Sequence, residues 1–281
     1  MHIVVRYIIC YGGENSPMSR VNWMLLSTII ITKNCARTLD ACLQSVKGIS
    51  DEIIILDSQS VDDTRVIAER YTHKFIQSTD WPGFGVQKQR ALDLARGTWV
   101  LSIDADEVLT PECQQEIQTA IQHKFTIAYR IKRLMIFAGK AIHHSGCSDA
   151  PIRLFKKAVA KFTPDIIHEY VIVQGTVGKI NSPMLHYSYA NIGEWIAKMN
   201  LYSELGAQKK ADQKKYSVTY AIFSAMISFI KMYIFKKGIL DGRLGLVASI
   251  NSAVASYYKY LKLALDKDFN KKWGGKHGNL G

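Results

Sequence analysis

The chain has 281 residues, of which 48% are hydrophobic and 21% charged, with 36 Lys+Arg against 24 Asp+Glu. This is globular composition, which excludes a disordered chain and one embedded in a bilayer throughout. At this length the core needs no disulfide or metal staple. The net charge of +12 is divided: residues 1–120 hold 11 Lys+Arg against 15 Asp+Glu, and the remainder holds 25 against 9. An acidic front joined to a basic back suggests an acidic site mounted on something that meets polyanions. Nucleic acid, an anionic membrane surface and a phosphorylated substrate are the candidates.

Residues 1–22 carry a short apolar patch broken by Gly12, Gly13 and Pro17. They read as a leader outside the fold rather than a signal peptide. Leu25–Ile31, Glu52–Leu56 and Trp99–Ile103 are continuous apolar runs typical of buried strands. Between the first two, Leu39, Leu43 and Val46 have helical spacing, and residues 64–71 and 87–95 also read as helices. Strands alternating with helices predict a parallel sheet with helices on both faces, its ligand edge at the strand carboxyl ends. Pro111-Glu112 opens a further helix to about His123, residues 127–131 and 153–155 read as strands, and from Ile192 the pattern is helical almost to the end. Residues 273–281, rich in Gly and Lys, read as a flexible tail.

Five cysteines, Cys10, Cys35, Cys42, Cys113 and Cys147, form no CxxC pair, which fits a reduced, intracellular chain. The one long uncharged run, Ser217–Ile230, ends at Lys231 and is short for a membrane span. A cytoplasmic chain is therefore expected.

The strongest chemical signal is Asp104-Ala105-Asp106-Glu107, directly after the third strand. Residues two apart on extended chain point the same way, so Asp104 and Asp106 can converge. Such carboxylates repel unless a cation is present, and Mg²⁺ or Mn²⁺ favours one or two carboxylates plus phosphate oxygens. A polar turn that ends a strand and caps the next helix is the plainer alternative. Asp57-Ser58-Gln59-Ser60 follows the second strand, and Thr32-Lys33-Asn34 ends the first. Asp57 at the sheet's ligand edge suits a base N–H or a ribose hydroxyl. Asp62 and Asp63 serve equally as caps of the helix that follows. No GxGxxG or GxxxxGK[ST] follows a strand, which weighs against dinucleotide-binding and P-loop proteins.

Taken together, Thr32-Lys33-Asn34, the stretch from Leu39 to Ser45, Glu52 to Thr64, Gln87 to Ala91 and Asp104 to Glu107 resemble the nucleotide-sugar-binding half of a family 2 glycosyltransferase with the GT-A fold. The resemblance covers about residues 25–190. It implies an α/β fold with a mostly parallel sheet flanked by helices and a catalytic domain at 23–190; the helical pattern and basic charge of 191–272 mark a basic helical extension that associates with membrane. Thr32, Asn34, Asp57, Ser58, Lys88, Arg90 and Asp104 would bind the UDP-sugar donor, and Asp104 and Asp106 a divalent metal, Mg²⁺ or Mn²⁺. The family often has a second Asp where this chain has Ser58, so base recognition differs there.

Asp149 to Phe155, Ile167-His168-Glu169, Leu185 to Tyr189 and Lys198 to Tyr202 recur in order and resemble the branch of bacterial lipopolysaccharide inner-core glucosyltransferases. That branch implies inverting β1,4 transfer from UDP-glucose to a heptose. Glu169 is the expected base, with Asp149 the fallback; His168 orients it or binds the acceptor, and a His-Glu pair in a turn is the plainer alternative. Lys88 and Arg90 add positive charge at the diphosphate or form a solvated helix face. Arg153 clamps a phosphate or sits at a strand edge. His186 completes the metal site, contacts diphosphate or packs.

Tyr220, Phe223, Ile227 and Ile230 form a helical stripe flanked by Lys209, Lys210, Lys214 and Lys215 before it and by Lys231, Lys236, Lys237 and Arg243 after it. This pattern suits a helix in an anionic membrane interface holding a lipid-linked, phosphorylated saccharide acceptor; packing on the catalytic domain is the alternative. The enzyme would then be cytoplasmic and peripheral to the inner membrane. A nucleic-acid-binding protein fits the basic back but not the acidic strand ends, so no nucleic acid partner is expected. Within enzymes, another nucleotide sugar or a polyprenyl-phosphate acceptor is the runner-up.

Overall fold

The computed structural model describes residues 25–165, 169–211 and 216–265. The leader, the tail, His168, Lys214 and Lys215 lie outside the described residues.

The elements run β1 (Leu26–Thr32), α1 (Ala36–Lys47), β2 (Glu52–Asp57), α2 (Thr64–Ala68), β3 (Phe75–Gln77), α3 (Phe84–Leu94), β4 (Trp99–Ser102), β5 (Glu107–Leu109) and α4 (Pro111–Ala120). They continue with β6 (Ala128–Phe137), β7 (Lys140–Ile142), β8 (Ser148–Asp149), β9 (Ile152–Lys156), β10 (Ala160–Phe162), β11 (Val171–Val173) and β12 (Val177–His186). The helical extension holds α5 (Ile192–Gln208), α6 (Val218–Ile230) and α7 (Gly242–Leu265).

The main sheet has the order β3-β2-β1-β4-β9-β6-β12-β5, with β7 and β8 pairing to β6. Its front four strands are parallel, as the alternating pattern predicts. Beyond β4 the pairing is mixed: β9 runs antiparallel to both β4 and β6, and β12 is parallel to β6 but antiparallel to β5. Apolar side chains cover both faces of the front half. Leu39, Leu43 and Val46 of α1 join Cys113 and Ile117 of α4 in the core on one face. Ala91 and Leu92 of α3 pack with Ile29, Ile54 and Phe155 on the other. The in-register pairing of Thr32 with Asp57 and of Ile29 with Ser102 aligns the carboxyl ends of β1, β2 and β4. That alignment brings three separate sequence motifs to one edge.

The strand β12 is not legible in the sequence, because Gly178 and Pro183 interrupt its pattern. It forms with a register shift between Ile180 and Met184, and that irregularity lets a proline sit within the sheet. Its end sets His186 opposite Glu107.

Glu52 at the start of β2 is buried, and its carboxylate accepts from the Ser27 hydroxyl at 2.5 Å, the Arg96 amide at 2.6 Å and the Lys74 ammonium. Burial alone would raise this carboxyl, but Lys74, Ser27 and the Arg96 amide bring it down to about 2. Because the folded value lies below the unfolded one of 4.5, the stabilisation is complete above about pH 5 and is lost as pH falls toward 2. It amounts to about 2–3 kcal/mol. Thermal melts between pH 7 and pH 2.5 are expected to show this loss, and Glu52→Gln to flatten it. An equal acid slope in the variant would remove Glu52 as the cause.

At the C-terminal end, α6 and α7 form an antiparallel hairpin joined by Ser224 to Ser256 at 2.7 Å and Ser228 to Ser252 at 3.0 Å. Helix α6 does not stop at Lys231 but runs on as a π-helical turn, Lys231–Phe235, followed by a 3-10 turn, Gly238–Asp241. The turn is pressed onto α7: a Cβ on Gly245 would lie 1.8 Å from the Gly238 carbonyl oxygen. Asp241 ties it to the catalytic domain by accepting from the backbone amides of His143 and His144 at 3.2 and 2.7 Å. Among the described residues, one helical stretch, Val218–Phe235, is long and apolar enough to cross a membrane by length and composition.

Candidate active site

The β1 and β2 ends are locked to each other. The Asp57 carboxylate is fully buried and accepts from the Thr32 hydroxyl at 2.8 Å, the Ser60 hydroxyl at 2.5 Å and the Ser60 amide at 2.9 Å. Asn34, at φ 53°, accepts from the Val61 amide at 2.9 Å through its side chain. Ser58 is held by the Gln87 amide at 3.0 Å. Asp57 therefore shapes the loop it sits in, and the exposed rim of that loop is formed by Asn34 and its neighbours.

The β4 end holds a dense charge network. Both oxygens of Asp104 are engaged, Oδ1 by Lys88 Nζ at 2.8 Å and Oδ2 by the guanidinium of Arg153. Lys88 also donates to Glu169 Oε1 at 2.7 Å, so one buried ammonium joins two carboxylates that are far apart in sequence. Close approach of the start of α3 to residues 163–165 makes this possible. A Cβ on Gly85 would lie 1.9 Å from the Thr163 carbonyl oxygen, and the Gly85 amide donates to the Asp165 carbonyl at 3.1 Å. Only glycine fits there, and it lets residues 163–165 pack against the helix that carries Lys88.

Arg153 is 5% exposed. It donates to Asp104 and, at 2.5 Å, to Glu107. Glu107 is fully buried and also accepts from the Asp104 amide at 2.9 Å and from Arg133 at 3.1 Å. Burial would raise the Asp104 carboxyl, yet Arg153 and Lys88 hold it well below the usual carboxylate range. For Glu107 burial prevails over Arg153, and its carboxyl is raised. Burial also opposes ionisation of Asp106, but the hydrogen bond from His186 brings its carboxyl below the ordinary value.

The expected site residues fall into distinct positions. Lys88, Asp104, Glu169 and Arg153 converge. Arg153 donates to Asp104 and Glu107 and so braces the two carboxylates. Arg90 points elsewhere: it pairs with Asp80 at 2.6 Å, on the exposed side of α3. Asp149 is bound by Arg133 at 2.5 and 2.7 Å, which occupies it as an alternative base. Sequence reasoning gave no role to Glu107 or Arg133. A carboxylate followed by Val108-Leu109 was the available signal for Glu107, since apolar neighbours foretell burial. Arg133 lies in the alternating strand β6 and carries no local signal.

Among the described residues no cluster of three His, Cys, Asp or Glu side chains is arranged to hold a metal. The protein offers a pair, Asp106 Oδ2 and His186 Nε2, 3.3 Å apart and partly exposed. Adjacent ligands of an octahedral cation with ~2.1 Å bonds lie about 3 Å apart, so the pair fits a divalent cation whose other ligands come from a diphosphate and water. The Ser188 hydroxyl lies 3.0 Å from both ring nitrogens of His186.

A parallel front, a mixed back and acidic groups at their junction make a GT-A-like fold. Residues 27–141 match the sequence profile described as Glycosyl transferase family 2. An uncharacterized glycosyltransferase of Rickettsia prowazekii is 33% identical over 264 residues, 88% of this chain and 88% of the relative. The chain belongs to glycosyl transferase family 2. It is also 28% identical over 249 residues to the lipopolysaccharide core biosynthesis glycosyltransferase LpsC of Rhizobium meliloti, covering 85% of this chain and 90% of that one. Among solved structures, Staphylococcus aureus TarS residues 1–349 align with a TM-score of 0.45 at 15% identity, over 83% of this chain and 81% of that one. Glucosyl-3-phosphoglycerate synthase of Mycobacterium tuberculosis, in complex with Mn²⁺, UDP and phosphoglyceric acid, aligns with a TM-score of 0.45 at 16% identity, over 61% and 73%.

Proposed function

We propose that this family 2 enzyme transfers glucose from UDP-glucose, with inversion, onto a heptose of the lipopolysaccharide inner core. The observation that carries the chemistry is Lys88 Nζ bridging Asp104 and Glu169 at 2.8 and 2.7 Å. It sets one carboxylate at the donor edge of the sheet and a second beside it to serve the acceptor. The acceptor oxygen attacks C1 of the sugar, its proton passes to Glu169, and the bond from C1 to the diphosphate breaks with the electron pair leaving on UDP. Lys88 keeps Glu169 oriented, and its positive charge lies where negative charge grows on the leaving group. Asp106 and His186 would hold a divalent cation, which when bound supplies Lewis-acid stabilisation of the departing diphosphate. The likeness to a lipopolysaccharide core transferase of Rhizobium meliloti supports the choice of acceptor.

We place the enzyme at the cytoplasmic face of the inner membrane. Tyr220, Phe223, Ile227 and Ile230 are exposed at 41–65%, and Lys231, Lys236, Lys237 and Arg243 are exposed at the same end of the hairpin. An apolar stripe with basic flanks supports binding to an anionic bilayer, with the lipid-linked acceptor in the same surface.

UDP release across a panel of UDP-sugars, with core-lipid acceptor in anionic phospholipid vesicles, tests the reading. Turnover is expected with UDP-glucose alone and is expected to vanish in chelator and in Asp106→Ala. Release from a different sugar would replace the donor, full activity in chelator would remove the metal, and failure to sediment with the vesicles would remove the membrane site.

A further inference from the structure

A cleft of ≈ 360 Å³ opens beside the Asp106–His186 pair, walled on one side by the catalytic sheet and on the other by α5 and α7. Its volume is at the lower end of the ~300–1,000 Å³ range of small-molecule sites, which suits a sugar unit better than a second nucleotide. Tyr189 and Trp195 line it as a stacked pair, rings 4.9 Å apart and 6° from parallel. Asn251 of α7 also lines it, and among the described residues the buried Asn251 Nδ2 has no hydrogen-bond partner. A buried amide without a partner is costly, and in a cleft it is matched by a ligand that brings an acceptor atom. Tyr202, on the same wall, lies close enough to Glu169 and Asp106 that, after burial, their charges raise its hydroxyl. His186, which pairs with Asp106, lines the cleft, and its far wall belongs to the hairpin that carries the exposed apolar stripe.

We propose that this cleft is the subsite for a hydroxylated sugar of the acceptor, with Asn251 donating to a sugar oxygen. The helical extension then reads the acceptor as well as carrying the enzyme to its surface. This rests on the glycosyl-transfer reading above and adds to it a place and a recognition residue. The amide supplies direction, the edges of the Tyr189–Trp195 stack supply an apolar wall, and the lipid-linked remainder of the acceptor stays outside, along the hairpin.

Calorimetric titration of the heptose-containing core oligosaccharide, released from its lipid by mild acid, tests the proposal in the presence of UDP. The unmodified protein is expected to bind it. Asn251→Leu is expected to weaken that binding about tenfold or more, to leave UDP binding unchanged, and to keep or raise the melting temperature, since an unpaired buried donor is removed. Ala255→Phe, which fills the cleft, is expected to abolish saccharide binding with UDP binding intact. Equal saccharide affinity in all three proteins overturns the proposal, as does an absence of binding by the unmodified protein. An Asn251→Leu protein that melts lower and loses UDP binding as well overturns it too, because Asn251 is then a structural residue. Saccharide binding without UDP release from any UDP-sugar removes the donor reading while the subsite stands.

Discussion

Glu169→Gln is expected to lower sugar transfer by about 10²–10⁴, the range a positioned general base contributes, while UDP-sugar binding stays within a few-fold. The amide keeps the shape of the side chain and can still accept from Lys88 Nζ, now 2.7 Å from Glu169 Oε1, but cannot take a proton from the acceptor hydroxyl. Steady-state kinetics with titration of UDP-glucose separate the two effects. The loss should fall on kcat, because the interaction is made as the proton moves. Unchanged turnover would remove Glu169 as the base; loss of donor binding in step with turnover would make it a structural partner of Lys88. Glu169→Ala is a useful contrast, since it also frees Lys88 and leaves that ammonium to Asp104 alone.

Arg153→Met should destabilise the fold by about 3–5 kcal/mol. It strips a guanidinium from between Asp104 and Glu107, leaving the fully buried Glu107, among the described residues, with Arg133 as its ion-pair partner. Burial alone would lower the Arg153 guanidinium, yet the two carboxylates hold it above its ordinary value, so the charged network is the stable arrangement. At about 2–4 °C per kcal/mol for a chain somewhat smaller than this one, the melting temperature is expected to fall by roughly 6–20 °C. Arg153→Met combined with Glu107→Gln should regain much of the loss, because it removes the stranded charge along with its partner. An unchanged melting temperature in the single variant would show that Arg153 does not brace the site.

These two residues mark where sequence reasoning reaches and where it stops. Glu169 is nominated by the His-Glu pair and its order in the chain, and the fold brings it to Asp104 through Lys88. Arg153 is nominated too, as a phosphate clamp or a strand-edge residue. Nothing in Arg153-Leu154-Phe155 foretells that antiparallel pairing of β9 with β4 sets it behind Asp104. The same limit applies to Arg90, two residues from Lys88, which helical geometry turns away to Asp80. Neighbours in sequence on a helix do not share a face.

Several features follow from the sequence by local physics. Buried parallel strands read as unbroken apolar runs, so β1, β2 and β4 are legible. The helices between them are legible by their spacing, and the carboxylates stand where strand ends must put them. The split of charge follows from composition alone, and so does the basic, aromatic extension. The tertiary structure decides what depends on contacts distant in the chain. It pairs Asp106 with His186 through an irregular strand that Gly178 and Pro183 conceal, and it joins Asp104 to Glu169 by a lysine on a third element. It also puts Asn251 of the last helix, with no motif around it, on the wall of a cleft that His186 also lines. Strand and helix patterns are encoded in neighbouring residues, whereas a site is a convergence of groups whose partners lie tens to more than a hundred positions away, and only packing selects which of them meet.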